Sequence, residues 1–249
     1  MNQTVVELKG VSKKYRRHTG RPIATTLKSF FLYDLWRNRG RVSDVTWVLR
    51  DIDLILEQGI TLGVIGRNGS GKSTLLKLIS RILKPDSGHI AINGKVAALI
   101  ELGAGFHPEL TGRENIIING MILGLTKSAI SAKLNEIVDF SEVGEYIDEP
   151  IRTYSSGMYM RLGFSVAIHV EPAILLVDEV LAVGDAGFTR KCIDRMNAFK
   201  KDGKTIILVT HDVAMVRSWC DQAVWLDGGE IKMQGNPPDV VDAYLQAIG

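Results

Sequence analysis

The feature that most constrains this chain is the run Gly66-Arg67-Asn68-Gly69-Ser70-Gly71-Lys72-Ser73, set between the apolar segment TLGVIG and the helix-patterned LLKLI. A GxxxxGK[ST] pattern has physical content only in that setting, with a strand before it and a helix after it. The glycines let successive backbone N–H groups turn inward, and the helix adds the positive end of its dipole, so an anion nests there with few charged side chains. The cradle is formed by Gly66, Asn68, Gly69, Ser70 and Gly71. Lys72 is expected along the β- and γ-phosphates of a nucleoside triphosphate, the Ser73 hydroxyl on Mg²⁺, and Thr74 near the α-phosphate. A strand feeding such a loop belongs to an open parallel sheet, so the class expected is α/β.

Two further apolar runs, AILLVDEV at 173–180 and TIILVTH at 205–211, are short and bounded by Pro172 and Gly203, as suits buried parallel strands. Each delivers polar residues to the carboxyl edge of the sheet, where ligands of open α/β sheets bind. Asp178 is expected to hold Mg²⁺ and Glu179 to orient or polarise the water that attacks the γ-phosphate. This pair and the loop suit a kinase, a GTPase or a recombinase-like motor equally well.

The rest of the chain reads as additions to that core. Residues 4–10 and 47–56 alternate in the strand manner, and a helix is expected over 72–83 with its stop near Pro85. A helical subdomain is expected at about 108–168, within one domain that spans 1–249. A basic insertion at about 16–46 contains LKSFFLYDLW, whose apolar residues suit one face of a short helix. Residues 1–50 hold eleven Lys and Arg against Glu7, Asp34 and Asp44, although the whole chain carries only +2. That basic arm is either a solvated surface or a face toward anionic lipid or a phosphorylated substrate, and its aromatics Phe30, Phe31, Tyr33 and Trp36 either pack in a core or meet a membrane partner. No apolar run approaches the ~18 residues of a membrane span, and the N-terminus lacks the form of a secretory signal, so a cytosolic protein is expected. Cys192 and Cys220 lack partners at metal-ligand spacing and read as ordinary buried thiols.

The words that separate these alternatives are Tyr154-Ser155-Ser156-Gly157-Met158, opening a helix ahead of AILLVDE, and His211 at the end of the following strand. In this order they resemble the ABC ATPases, over nearly the whole chain. The usual signature, Leu-Ser-Gly-Gly-Gln, is matched at Ser155 and Gly157, whereas Tyr154, Ser156 and Met158 depart from it. The resemblance implies a P-loop core with an antiparallel β subdomain and a helical subdomain. It also implies a homodimer sharing two ATP sites, in which Ser155, Ser156 and Gly157 of one subunit meet the γ-phosphate held by the other. By the same resemblance His211 contacts the γ-phosphate and the attacking water, Asp185 lies in an inter-subunit loop, and Tyr15 stacks on adenine. The family's metal-sensing glutamine has no counterpart in ALIELGAGFHPELTGREN, where Glu101 is the nearest polar candidate for that role and would place another carboxylate near Mg²⁺.

Three segments, ELGAGFHPELTGREN, YSSGMYMRLGF and DEVLAVGDAGF, are similar to those of ATPase subunits that export lipid-linked polysaccharides of the O-antigen, capsule or teichoic acid class. That resemblance implies a membrane permease in two copies, a lipid-linked glycan as cargo, no nucleic acid, and a place on the cytoplasmic side of the inner membrane. A carbohydrate-binding domain after this one, as some such exporters carry, is not expected within this sequence. The competing readings are a soluble ABC ATPase without a membrane partner, an ABC subunit for another cargo, and a P-loop small-molecule kinase.

Overall fold

The computed structural model describes residues 3–16, 45–99, 103, 105–178 and 184–249. Nearly all of the predicted insertion, together with Glu101 and Glu179, lies outside them.

Two sheets enclose the first core. Strand β1 (Thr4–Arg16) lies between β2 (Val45–Glu57) and β4 (Ser87–Ile92), all antiparallel. Along β2, buried Leu49, Ile52, Leu54 and Leu56 alternate with exposed positions, so one face of this sheet is apolar and the other wet. The second sheet has the order β5-β6-β7-β3-β8-β9, parallel except for β9. Its central strands β3 (Thr61–Ile65), β6 (Ile174–Asp178) and β7 (Thr205–Val209) are the predicted apolar runs, and every residue but Asp178 is buried. The last of these runs ends earlier than the sequence suggests, because Thr210 and His211 lie beyond the ladder.

Strands β5 (Val96–Ala98), β8 (Gln222–Asp227) and β9 (Glu230–Gly235) widen the sheet beyond what the apolar runs reveal. The β8–β9 hairpin turns on Gly228 and Gly229, with φ of 56° and 82°. Two consecutive left-handed residues are what a tight turn between twisted antiparallel strands requires.

Helix α1 (Lys72–Ile79) packs between the sheets, with Leu75, Leu76, Leu78 and Ile79 buried in a core shared with Leu8, Leu54, Val64 and Leu176. It ends a turn before the expected Leu83. Arg81 takes φ 62°, and Leu83 N–H reaches back to Lys77 O at 2.9 Å, closing the helix before Pro85 is met. Helices α2 (Gly112–Ile122), α3 (Lys127–Ser141) and α4 (Ser156–His169) form a separate cluster around Ile116, Ile130, Ile137, Leu162 and Val166. The outer face of β6 and β7 is covered by α4 and α5 (Ala186–Lys201) through Phe164, Phe188, Cys192 and Met196. Helices α6 (Val213–Trp219) and α7 (Pro237–Ile248) close the opposite end over β8. Among the described residues no helix is long and apolar enough to cross a membrane.

Candidate functional site

Between β3 and α1 the chain makes a loop that only glycine permits at two points. Gly66 has φ 152°, and a Cβ there would lie 2.0 Å from Leu226 O. Gly71, the N-cap of α1, has φ 108°, and its Cβ would lie 2.6 Å from Leu49 Cδ2 and 2.8 Å from Val48 O. The backbone of this loop is therefore pressed against β2 and β8 and has one free side. No side chain caps α1, so its first N–H groups remain directed to that side. Lys72 is 7% exposed and donates from Nζ to Gly66 O at 2.7 Å and Arg67 O at 3.0 Å, which arches its stem over the loop.

The open side is a cleft of about 540 Å³ lined by Val48, Asn68, Gly69, Gly71, Lys72, Ser73, Thr74, Asp178 and His211. Loop, strand-end carboxylate and strand-end histidine, far apart in sequence, thus share one cavity at the carboxyl edge of the parallel sheet. The oxygen donors are hard and few. Among the described residues no group of three or more His, Cys, Asp or Glu side chains forms a metal cage. One hydroxyl and one carboxylate beside a phosphate nest is the donor set that suits Mg²⁺, which keeps waters and takes its remaining ligands from phosphate.

The other predicted residues are distributed as follows. Ser70 is buried with its Oγ unpartnered among the described residues, so its part in the cradle is played by its backbone. Tyr15 stands 41% exposed near the end of β1, opposite Thr46, and shares a face with Lys13, whose Nζ is 6.0 Å from its ring centroid. Val48 is a lining residue the sequence did not point to. One step along β1, from Lys13 to Lys14, spans two along β2, from Leu49 to Trp47, so Val48 is the extra residue of a bulge. Bulges re-aim a side chain in this way beside many active sites. Glu101 and Glu179 lie outside the described residues.

Ser155, Ser156 and Gly157 sit apart from this cleft, at the N-terminus of α4. Ser155 is the N-cap, its Oγ accepting from Met158 N at 3.2 Å, and both serines are exposed. Gly157 lies in the first turn with no close neighbour. Among the described residues the only atom within 4 Å of a Cβ there is Ser155 Oγ, at 3.8 Å. Asp185 caps α5, accepting from Phe188 N at 2.9 Å, and also pairs with Arg161 of α4. The Phe188 amide, and then the Arg161 guanidinium, hold its carboxyl below the usual range.

The loop that runs into α2 is fastened by a residue the sequence reading passed over. Asn115 is fully buried; its Oδ1 accepts from His107 N at 2.7 Å, and its Nδ2 donates to the carbonyls of His107, Leu110 and Thr111 at 2.9 to 3.1 Å. An asparagine on the apolar side of an amphipathic helix was the available signal. Tyr154 Oη donates to Tyr146 O at 2.7 Å, and burial, with Asp148 and Glu149 nearby, pushes its hydroxyl up to about 12.

Comparison with known proteins places this geometry. Residues 49–182 match the family model described as ABC transporter. The O-antigen export system ATP-binding protein RfbB of Myxococcus xanthus is 54% identical over 97% of this chain, and this chain spans about half of it, 55% of its length. A protein of the same name from Klebsiella pneumoniae is 48% identical over 80% of this chain and 81% of its own. The teichoic acids export ATP-binding protein TagH of Bacillus anthracis is 40% identical over 96% of this chain and 42% of its own. Among solved structures, a dimeric post-hydrolysis state of the ATP-binding cassette MJ0796 with ADP and Pi superimposes with a TM-score of 0.72 at 20% identity, covering 93% of this chain and 98% of that one. At that identity the likeness speaks for the fold, whereas the match over 49–182 and the relatives at 40 to 54% identity speak for descent. The chain belongs to the ABC transporter family.

Proposed function

We propose that this chain hydrolyses ATP as one of two identical subunits, and that the two drive export of a lipid-linked polysaccharide through a membrane permease present in two copies. The observation that carries the shared-site reading is Gly157. Glycine in a helix costs roughly 0.5–1 kcal/mol relative to alanine, and its own subunit leaves room for a Cβ. A glycine without an internal need, at an exposed helix start beside two serines, is explained by a ligand approaching from outside. That ligand is the γ-phosphate in the partner's cleft. Within the cleft, Lys72 brings its charge to the β- and γ-phosphates and the α1 amides hold the remaining oxygens. Mg²⁺, held by Ser73 and Asp178 together with the phosphates, would neutralise charge developing on the γ-phosphoryl oxygens. Glu179 and His211 orient the attacking water, and Tyr15 offers the adenine a flat apolar face. The cargo class rests on the relatives, whose names are those of O-antigen and teichoic acid exporters.

The test is Gly157→Ala. The account expects a melting temperature equal to or above wild type, ATP affinity of the isolated subunit within about twofold, and hydrolysis lowered on the order of 100-fold, as when one preorganised group at a developing oxyanion is lost. In the producing cell the same change is expected to empty the surface of the glycan while its lipid-linked form accumulates inside. Wild-type hydrolysis would refute the signature role, and normal surface glycan with lost hydrolysis would refute the cargo.

A further inference from the structure

The wall that β2 gives the cleft is built where that strand loses its regular pairing. From Val11 to Lys13 β1 advances two residues while β2 advances three, from Ile52 to Leu49, and the next step of β1, to Lys14, spans two more, to Trp47. Bulges leave residues unpaired and bend the strand. In the first of these, Asp51 has φ 48° and donates its N–H to Ser12 Oγ at 2.9 Å, a side chain in place of the ladder. What β1 releases, the tip of the β8–β9 hairpin takes up. Arg50 N donates to Gly229 O at 2.8 Å, and a Cβ on Gly229 would fall 2.5 Å from Val48 O. The same oxygen would lie 2.8 Å from a Cβ on Gly71. Hairpin tip, bulge and the last glycine of the loop before α1 therefore meet backbone to backbone.

We infer that Gly229 is a positioning residue for ATP binding: the bare backbone of the hairpin tip sets the β2 bulge, and through it Val48 and Gly71, where the nucleotide needs them. This rests on the reading of the cleft as the ATP site. The hairpin is the firmer partner in the contact. Val224 and Leu226 of β8 are fully buried, Trp225 meets Tyr244 of α7 edge-on with centroids 5.9 Å apart, and β9 pairs along β8. At the bulge β2 lacks a continuous ladder, so a methyl group added at Gly229 displaces Val48 rather than the hairpin. Val48 lines the cleft from β2, whereas Asp178 ends β6 and His211 follows β7. A shift of the β2 wall therefore weakens ground state and transition state alike, and shows in KM rather than kcat. Gly228 supplies the control. It shares the turn and a positive φ, 56°, and among the described residues no atom lies within 4 Å of a Cβ there.

The experiment compares wild type, Gly228→Ala, Gly229→Ala and Lys72→Ala in the full chain, by titration with a fluorescent ATP analogue, steady-state hydrolysis and thermal melting. Both glycine variants carry the left-handed strain, so both are expected to melt about 2–4 °C lower. Gly228→Ala is expected to keep analogue affinity and KM within about twofold of wild type, whereas Gly229→Ala weakens both about tenfold with kcat at saturation within about threefold. Should Gly229→Ala fail to fold, Gly229→Asn brings the same Cβ with less backbone strain and carries the same expectation. Equal affinities in the Gly228 and Gly229 variants overturn the inference, as does a fall in kcat with KM unchanged, which a structural role would give. Lys72→Ala separates the two levels. If it loses affinity while the glycine variants do not differ, the hairpin role alone fails; if it binds the analogue as wild type does, the cleft is not the ATP site and the hairpin role fails with it.

Discussion

Lys72 shows most plainly how one residue's chemistry depends on its surroundings. The residue is 7% exposed and its ammonium is bonded to two loop carbonyls, so its charge is held within the loop. A triphosphate entering the cleft meets that charge where screening is weak. Lys72→Ala is expected to lower hydrolysis on the order of 100-fold and weaken ATP binding while leaving the fold intact, read by initial rates, nucleotide titration and circular dichroism. Equal rates would remove the lysine from the mechanism. At this scale the sequence was most informative about residues whose type is dictated by chemistry: the loop, Asp178 and His211 do line one cleft. It was silent on Val48, whose place in the cleft comes from a bulge that leaves no local pattern, whereas Asn115 left one, a polar residue on the apolar side of a helix, that was passed over.

At the scale of elements, caps and closures set the boundaries. Helix α2 opens on a capping box, in which Glu114 N donates to Thr111 Oγ1 and the Glu114 carboxylate accepts from Thr111 N and Oγ1. Those hydrogen bonds hold the Glu114 carboxyl below its ordinary range, as the Lys14 amide does for Asp86, the Arg113 guanidinium for Asp148 and Lys133 for Glu171. A depressed carboxyl stabilises the fold fully above its unfolded value, near pH 4, and that contribution is lost as pH falls through the folded value. Stability is therefore expected to decline from about pH 5 downward. Glu114→Gln, which still accepts a hydrogen bond but cannot ionise, is expected to give a shallower decline in acid-dependent melting; superimposable curves would deny Glu114 a share in it. Elements with strong period or composition, such as β3, β6, β7 and the helices between Thr111 and Ile168, were legible in the sequence. The strands β5, β8 and β9 were not, because three residues carry no period and the half-buried β9 reads as surface.

For the molecule as a whole, the proposed function divides one site between two places. The cleft at the loop holds the residues proposed to bind and position a triphosphate, while the exposed N-terminus of α4, with Gly157 in its first turn, stands apart from it on the same chain. In the proposed assembly, two copies related by a twofold axis would bring each α4 to the other's cleft, an isologous arrangement in which the nucleotide is itself part of the contact. Dimerisation should then depend on ATP and persist only while ATP is intact. The most direct measurement is size-exclusion chromatography with light scattering on Glu179→Gln, with and without Mg-ATP. The account predicts a monomer without nucleotide, a dimer with Mg-ATP, and hydrolysis slowed enough for that dimer to be collected. A monomer under both conditions, with hydrolysis as fast as wild type, would contradict it.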